Sequence, residues 1–205
     1  MIQISVRGMT DSIIGIERST LIREAFRLEW ITVGFVATEV VVAIAAGVAA
    51  HSLTLVAFGT DSVIELLSAC VLLWRLNAEL RHGPALPAHV EHRAHRIGGA
   101  LLFALAVWIV SGAVWNLWHR HGQEFSLPGL TISMAAMPAM FWLAKAKLRI
   151  GKRVDSRALR ADAAESVVCG YLSAVVIVNL IAQLLVGAWW VDSVSALILV
   201  PFIAK

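Results

Sequence analysis

Glu39, Asp61, Glu65, Asp162, Glu165 and Asp192 all fall within long apolar runs of the chain. A charged side chain near the centre of a bilayer costs at least about 2.5–3.5 kcal/mol, so such residues mark ion or proton paths by default. Asp61 and Glu65, in GTDSVIELLSA, are four apart and stack one helical turn from each other. Glu165 and Cys169, in RADAAESVVCG, repeat that spacing, and DSVIE and ESVVC resemble each other residue by residue. If the two faces meet, three carboxylates and a thiol converge, a set suited to tetrahedral coordination of a divalent transition metal. A plainer alternative stands beside it. A buried carboxylate can bond a neighbouring Ser or Thr, and a lone Cys on a membrane helix is ordinarily small apolar filler. Two charges on one face make that alternative expensive for Asp61 and Glu65. Glu39 is open between metal ligand, proton carrier and partner of another helix. Asp162 and Asp192 lie nearer the ends of their runs, where capping or helix packing is cheap, and they too are candidates for either role.

A second constellation is made of histidines. The stretch RHGPALPAHVEHRAHR holds His82, His89, His92 and His95, and the last three recur every third residue near Glu91. They are candidates for an accessory metal site on one helical face, or for a solvated polar loop. His119, His121 and Glu124 form a poorer candidate for metal capture.

The elements that must position these residues are membrane helices. Of 205 residues, 59% are hydrophobic and 15% charged, where a soluble domain carries roughly 25% charged residues. The mean hydropathy is +0.79. Runs long enough to cross a hydrocarbon core of about 30 Å are predicted at 30–50, 53–76, 97–118, 130–146, 159–187 and 189–204. Period-2 alternation is lacking, so the fold class is all-α, a six-helix transmembrane bundle rather than a β-barrel. Two cysteines, both in apolar runs, exclude a disulfide framework. The first residues lack the basic-then-apolar pattern of a cleavable signal peptide.

Charge sets the expected direction. Fifteen of the seventeen Lys and Arg residues fall before the first run, between the second and third, or between the fourth and fifth. The alternate connections hold Arg120 alone. The positive-inside rule then places both termini in the cytoplasm. Residues 1–29 are expected to be an amphipathic cytoplasmic lead-in, with Ser19 or Thr20 capping a helix whose apolar side holds Leu21, Ile22, Phe26 and Leu28. Residues 30–205 form the membrane domain. The last run is short because the sequence stops at Lys205, which suggests a fragment ending within the sixth helix, with no cytosolic C-terminal domain.

These residues resemble the transmembrane domain of the cation diffusion facilitator family, most closely its short branch of vesicular zinc transporters without a long cytosolic tail. The resemblance covers roughly residues 20–205. Its most specific part is a pair of four-spaced ligand motifs on the second and fifth of six helices. Asp61 and Glu65 match the first. Ala161, Asp162, Glu165 and Cys169 match an A-D-x-x-H-x-x-x-D pattern, with Glu165 in place of the usual His and Cys169 in place of the usual Asp. Asp192 matches a recurrent acidic residue of the sixth helix. The resemblance implies that the connection carrying His89, His92 and His95 holds an accessory zinc site, as in some members, and that the membrane domain forms a homodimer.

The function expected is secondary transport of a divalent transition metal out of the cytosol, zinc foremost, with cadmium, manganese, iron and cobalt as further candidates. A thiolate leans toward soft ions and three carboxylates toward hard ones. Metal and protons compete for the same oxygens, which couples their gradients. The partners are therefore the lipid bilayer of an inner or plasma membrane, the metal ion and protons. No resident cofactor and no nucleic acid are expected. The rivals are an intramembrane enzyme with a metal or paired-carboxylate centre, built on Asp61 and Asp162, and a membrane metal sensor or scaffold that does not transport. A companion motif such as H-E-x-x-H is lacking, so an enzyme is not expected.

Overall fold

Within lipid a backbone must satisfy its own hydrogen bonds, which leaves helices as the way to arrange long apolar runs. The computed structural model describes residues 2–82, 103, 106–120 and 122–203, and these are almost wholly helical. In chain order the helices are α1 (Ile2–Ala49), α2 (Leu53–His82), α3 (106–119), α4 (Leu127–Arg153), α5 (Arg157–Val186) and α6 (Val191–Ile203). The stretches 18–49, 53–81, 127–153 and 157–186 are long and apolar enough to cross a membrane. The described part of α3 is shorter, and α6 is an apolar helix of 13 residues, about 20 Å at 1.5 Å per residue.

Local sequence sets most of the boundaries. Ser156 accepts a hydrogen bond from Leu159 N and starts α5; Gly187, in the left-handed region at φ 62°, ends it. Ser126 does the same for α4 by accepting from Gly129 N, with Pro128 in the first turn, where a missing N–H is harmless. One boundary departs from the sequence expectation. Ser19 and Thr20 do not cap a helix, because α1 runs through them without a break from Ile2. The expected apolar side of this segment faces inward all the same: Ile22 and Leu28 are buried, and Leu21 and Phe26 are half-buried against the core. At 48 residues, α1 is about 72 Å long, more than twice the thickness of a hydrocarbon core.

Contacts at the two ends establish an antiparallel bundle. At one end Arg18 of α1 bonds Glu79 of α2 at 2.8 Å and the Val154 carbonyl after α4 at 3.2 Å. At the other, Ala50 O accepts from Glu124 N at 2.8 Å, and Gln183 near the end of α5 donates to the Gln123 carbonyl at 2.9 Å. The first end carries Arg18, Arg75, Lys152, Arg153, Arg157 and Arg160; the second carries Arg120. α1 packs on α2 and α4, α5 on α4 and α2, and α6 on α5 and α2. The inward faces of α1, α2, α4 and α5 supply Val36, Phe58, Met140, Leu143, Leu172 and Val176, while Trp74, Trp142, Leu184 and Leu185 point outward. That inside-out arrangement suits a lipid surround.

Candidate metal centre

The site begins with a close approach of α1 and α2. A Cβ on Gly59 would stand 2.7 Å from Ile44 Cγ1 and 3.0 Å from Ile44 N, so only glycine lets the two backbones come this near. One turn further along α2, Ser62 Oγ donates to Glu39 Oε1 of α1 at 2.5 Å. On the facing helix, Cys169 Sγ of α5 lies 3.4 Å from the same Glu39 oxygen and within hydrogen-bonding reach of Glu65. Ser166 Oγ donates to Glu65 Oε1 at 3.0 Å, and Ser68 lies within hydrogen-bonding reach of Glu165.

The serines record the antiparallel register. Ser62 is the neighbour of Asp61, and Ser166 the neighbour of Glu165. Each hydroxyl crosses to a carboxylate on another helix. Asp61, half-buried, has Glu65, Glu165 and Glu39 within electrostatic reach. Four carboxylates and one thiol from α1, α2 and α5 therefore share a single region inside the spans. Glu39, Glu65 and Cys169 are buried, and Glu39 Oε2 and Glu65 Oε2 are acceptors without hydrogen-bond partners. Buried negative charge of this density calls for cations or protons. The donor set, carboxylate oxygens with one sulfur, suits a divalent transition metal. The side chains as arranged are bonded to serines and to one another. Among the described residues, no three His, Cys, Asp or Glu side chains close to metal-ligating distances.

The other expected residues are placed as follows. Asp192, at the start of α6, reaches across to the first turn of α2. It accepts from Leu53 N at 2.7 Å, Thr54 N at 3.2 Å, Ser52 Oγ at 2.7 Å and Asn179 Nδ2 at 3.2 Å. That is a helix cap supplied from a distant element, well away from Asp61. Asp162 ion-pairs with Lys147 at 2.5 Å, so it is bound to a cation rather than set against Asp61 as a carboxylate dyad. His119 stacks on Trp115 with ring centroids 4.0 Å apart. His89, His92, His95 and His121 lie outside the described residues.

Two buried charges were not anticipated. Lys147 counts in the sequence among the basic residues between the fourth and fifth runs, but it is 0% exposed and bridges Glu29 and Asp162. The signal was present in KAKLR: Lys145 and Arg149 are exposed, and a residue two positions from each must face the other way. Glu29 likewise continues the buried line of Ile22 and Ala25.

The comparison with known proteins decides the family. The Cation efflux transmembrane domain matches residues 30–205. The chain belongs to the cation efflux family. It is therefore of a transporter family rather than an enzyme family, and a multi-pass integral membrane protein. Among its relatives, Transmembrane protein 163 of Xenopus laevis is 29% identical over 153 residues, covering 73% of this chain and 52% of that protein. The Uncharacterized transporter sll1263 of Synechocystis sp. (strain ATCC 27184 / PCC 6803 / Kazusa) is 29% identical over 152 residues, covering 71% of this chain and 48% of that protein. The chain thus spans about half the length of the curated relatives it matches.

Proposed function

We propose that this cation efflux chain exports a divalent transition-metal cation, zinc foremost, from the cytosol in exchange for protons. Asp61, Glu65, Glu165 and Cys169 form the transport site, with Glu39 as an added ligand or proton carrier. The observation that carries this reading is the convergence of four carboxylates and a thiol from three helices inside the spans. Such a cluster is tolerable in lipid only when cations or protons offset its charge. A metal entering must displace protons and protons returning must displace the metal, which gives exchange. Tilting of α2 and α5 against the other helices would open the site to either side. The basic end faces the cytosol by the positive-inside rule. His89, His92 and His95 serve as an accessory site at that end, and two copies associate through the membrane domain.

The test is flux in sealed liposomes. Purified protein should move zinc against its gradient when protons flow the other way, and a proton ionophore should abolish the uphill component. Absence of flux for zinc, cadmium, manganese, iron and cobalt alike would leave a sensor or scaffold.

A further inference from the structure

Between the carboxylate cluster and the basic end lies a second set of buried charges. Glu29 of α1 and Lys147 of α4 are 0% exposed, and Asp162 of α5 is 4% exposed. Lys147 Nζ is 2.5 Å from Asp162 Oδ2, a hydrogen-bonded pair, and 3.2 Å from Glu29 Oε1 without hydrogen-bond geometry. Both Glu29 oxygens and Asp162 Oδ1 are buried without hydrogen-bond partners. A buried ion pair kept for packing alone is worth its desolvation only when its oxygens are saturated. This one leaves Glu29 Oε2 and Asp162 Oδ1 without hydrogen-bond partners, and Glu29 Oε1 with the ion pair to Lys147 alone.

Charge and position both point to a cation. Two ionised carboxylates match the charge of one divalent ion, whereas beside one ammonium the set is balanced only when one carboxyl keeps its proton. Asp162 precedes Glu165 by three residues on α5, and Glu65 is within electrostatic reach of both Lys147 and Asp162. The set therefore adjoins the cluster. Lys147 is six residues from the end of α4, about 9 Å along its axis, so the pair stands on the side facing the basic end. A lysine is a compact charge on a flexible stem, able to withdraw without moving the backbone.

We propose that Glu29 and Asp162 form a second, inner cation-binding pair on the transport path, and that Lys147 is its tethered occupant, displaced when a divalent ion passes. Its place on a path rests on the transport site proposed above; its capacity to bind does not. Lys147 then also keeps α1, α4 and α5 together while no metal is in transit.

The test uses the purified full chain and Co²⁺ as the probe. Equilibrium binding in micelles should show one more Co²⁺ per chain for Lys147→Gln than for the unsubstituted protein, and Glu29→Gln/Lys147→Gln should lose that extra ion. An unchanged Co²⁺ count in folded Lys147→Gln overturns the proposal. Glu29→Gln alone keeps the Lys147–Asp162 pair and decides the matter should Lys147→Gln fail to fold. Its Co²⁺ flux should fall about tenfold at unchanged affinity of the outer cluster, and unchanged flux overturns the inner pair. Asp61→Asn/Lys147→Gln separates the two sites. If it retains one Co²⁺ more than Asp61→Asn does, the inner pair binds independently of the outer cluster. Should Asp61→Asn bind as many Co²⁺ as the unsubstituted chain while Lys147→Gln binds one more, the transport site fails and the inner pair stands.

Discussion

Cys169 bears most directly on metal choice, because it is the one soft donor among carboxylates and its sulfur already sits 3.4 Å from Glu39. Replacing it with Asp should preserve transport and shift preference toward manganese, since oxygen replaces sulfur. Replacing it with Ala should weaken zinc and cadmium more than manganese; competition binding with the three ions checks both. Loss of any one of Asp61, Glu65 or Glu165 to Ala should weaken zinc binding at least about tenfold, or about 1.4 kcal/mol, measured by calorimetry in micelles. The same carboxylates give the sign of the pH dependence. Acid protonates the oxygens the metal needs, so apparent zinc affinity should fall as pH is lowered. An affinity independent of pH would remove the basis for proton exchange.

At the level of elements, two close approaches hold the site helices in register. Gly59 lets α2 lie against Ile44 of α1, and overpacking at such a contact costs roughly 1–3 kcal/mol. Gly59→Leu should therefore lower the unfolding temperature and, by separating Ser62 from Glu39, weaken metal binding although no ligand is touched. Asp192 is the other device. It accepts two backbone N–H groups, a hydroxyl and an amide at the far end of the bundle. A bond to a charged acceptor contributes about 1.5–3 kcal/mol. Asp192→Ala strands several buried donors at once and should destabilise the fold by more than about 2 kcal/mol, seen as a lower unfolding temperature. Asp192→Asn keeps part of the acceptor and should cost less.

For the whole molecule, the antiparallel bundle puts the basic helix ends on one side and the α1–α2 turn on the other. A cysteine replacing exposed His51, in a background with Cys70 changed to Ser, should react with an impermeant thiol reagent added outside cells. One replacing His89 should react only after permeabilisation. The reverse pattern would invert the proposed direction of transport. Replacing His89, His92 and His95 together with Ala should lower the metal count per chain while leaving some flux, which tests the accessory site separately from the helical cluster.

The sequence by itself determined the helical membrane class, because the apolar runs are about as long as a bilayer is thick and the basic residues gather between alternate runs. It also paired Asp61 with Glu65 and Glu165 with Cys169, since a spacing of four is one helical turn whatever the surroundings. It could not tell which helices touch, because contacts between distant segments depend on packing rather than on local period. Only the tertiary structure drew Glu39 to Ser62 and Cys169, sent Asp192 to the cap of α2, and took Lys147 out of the basic cluster to lie between Glu29 and Asp162. A buried charge chooses its partner across helices, and that choice is made where the helices meet.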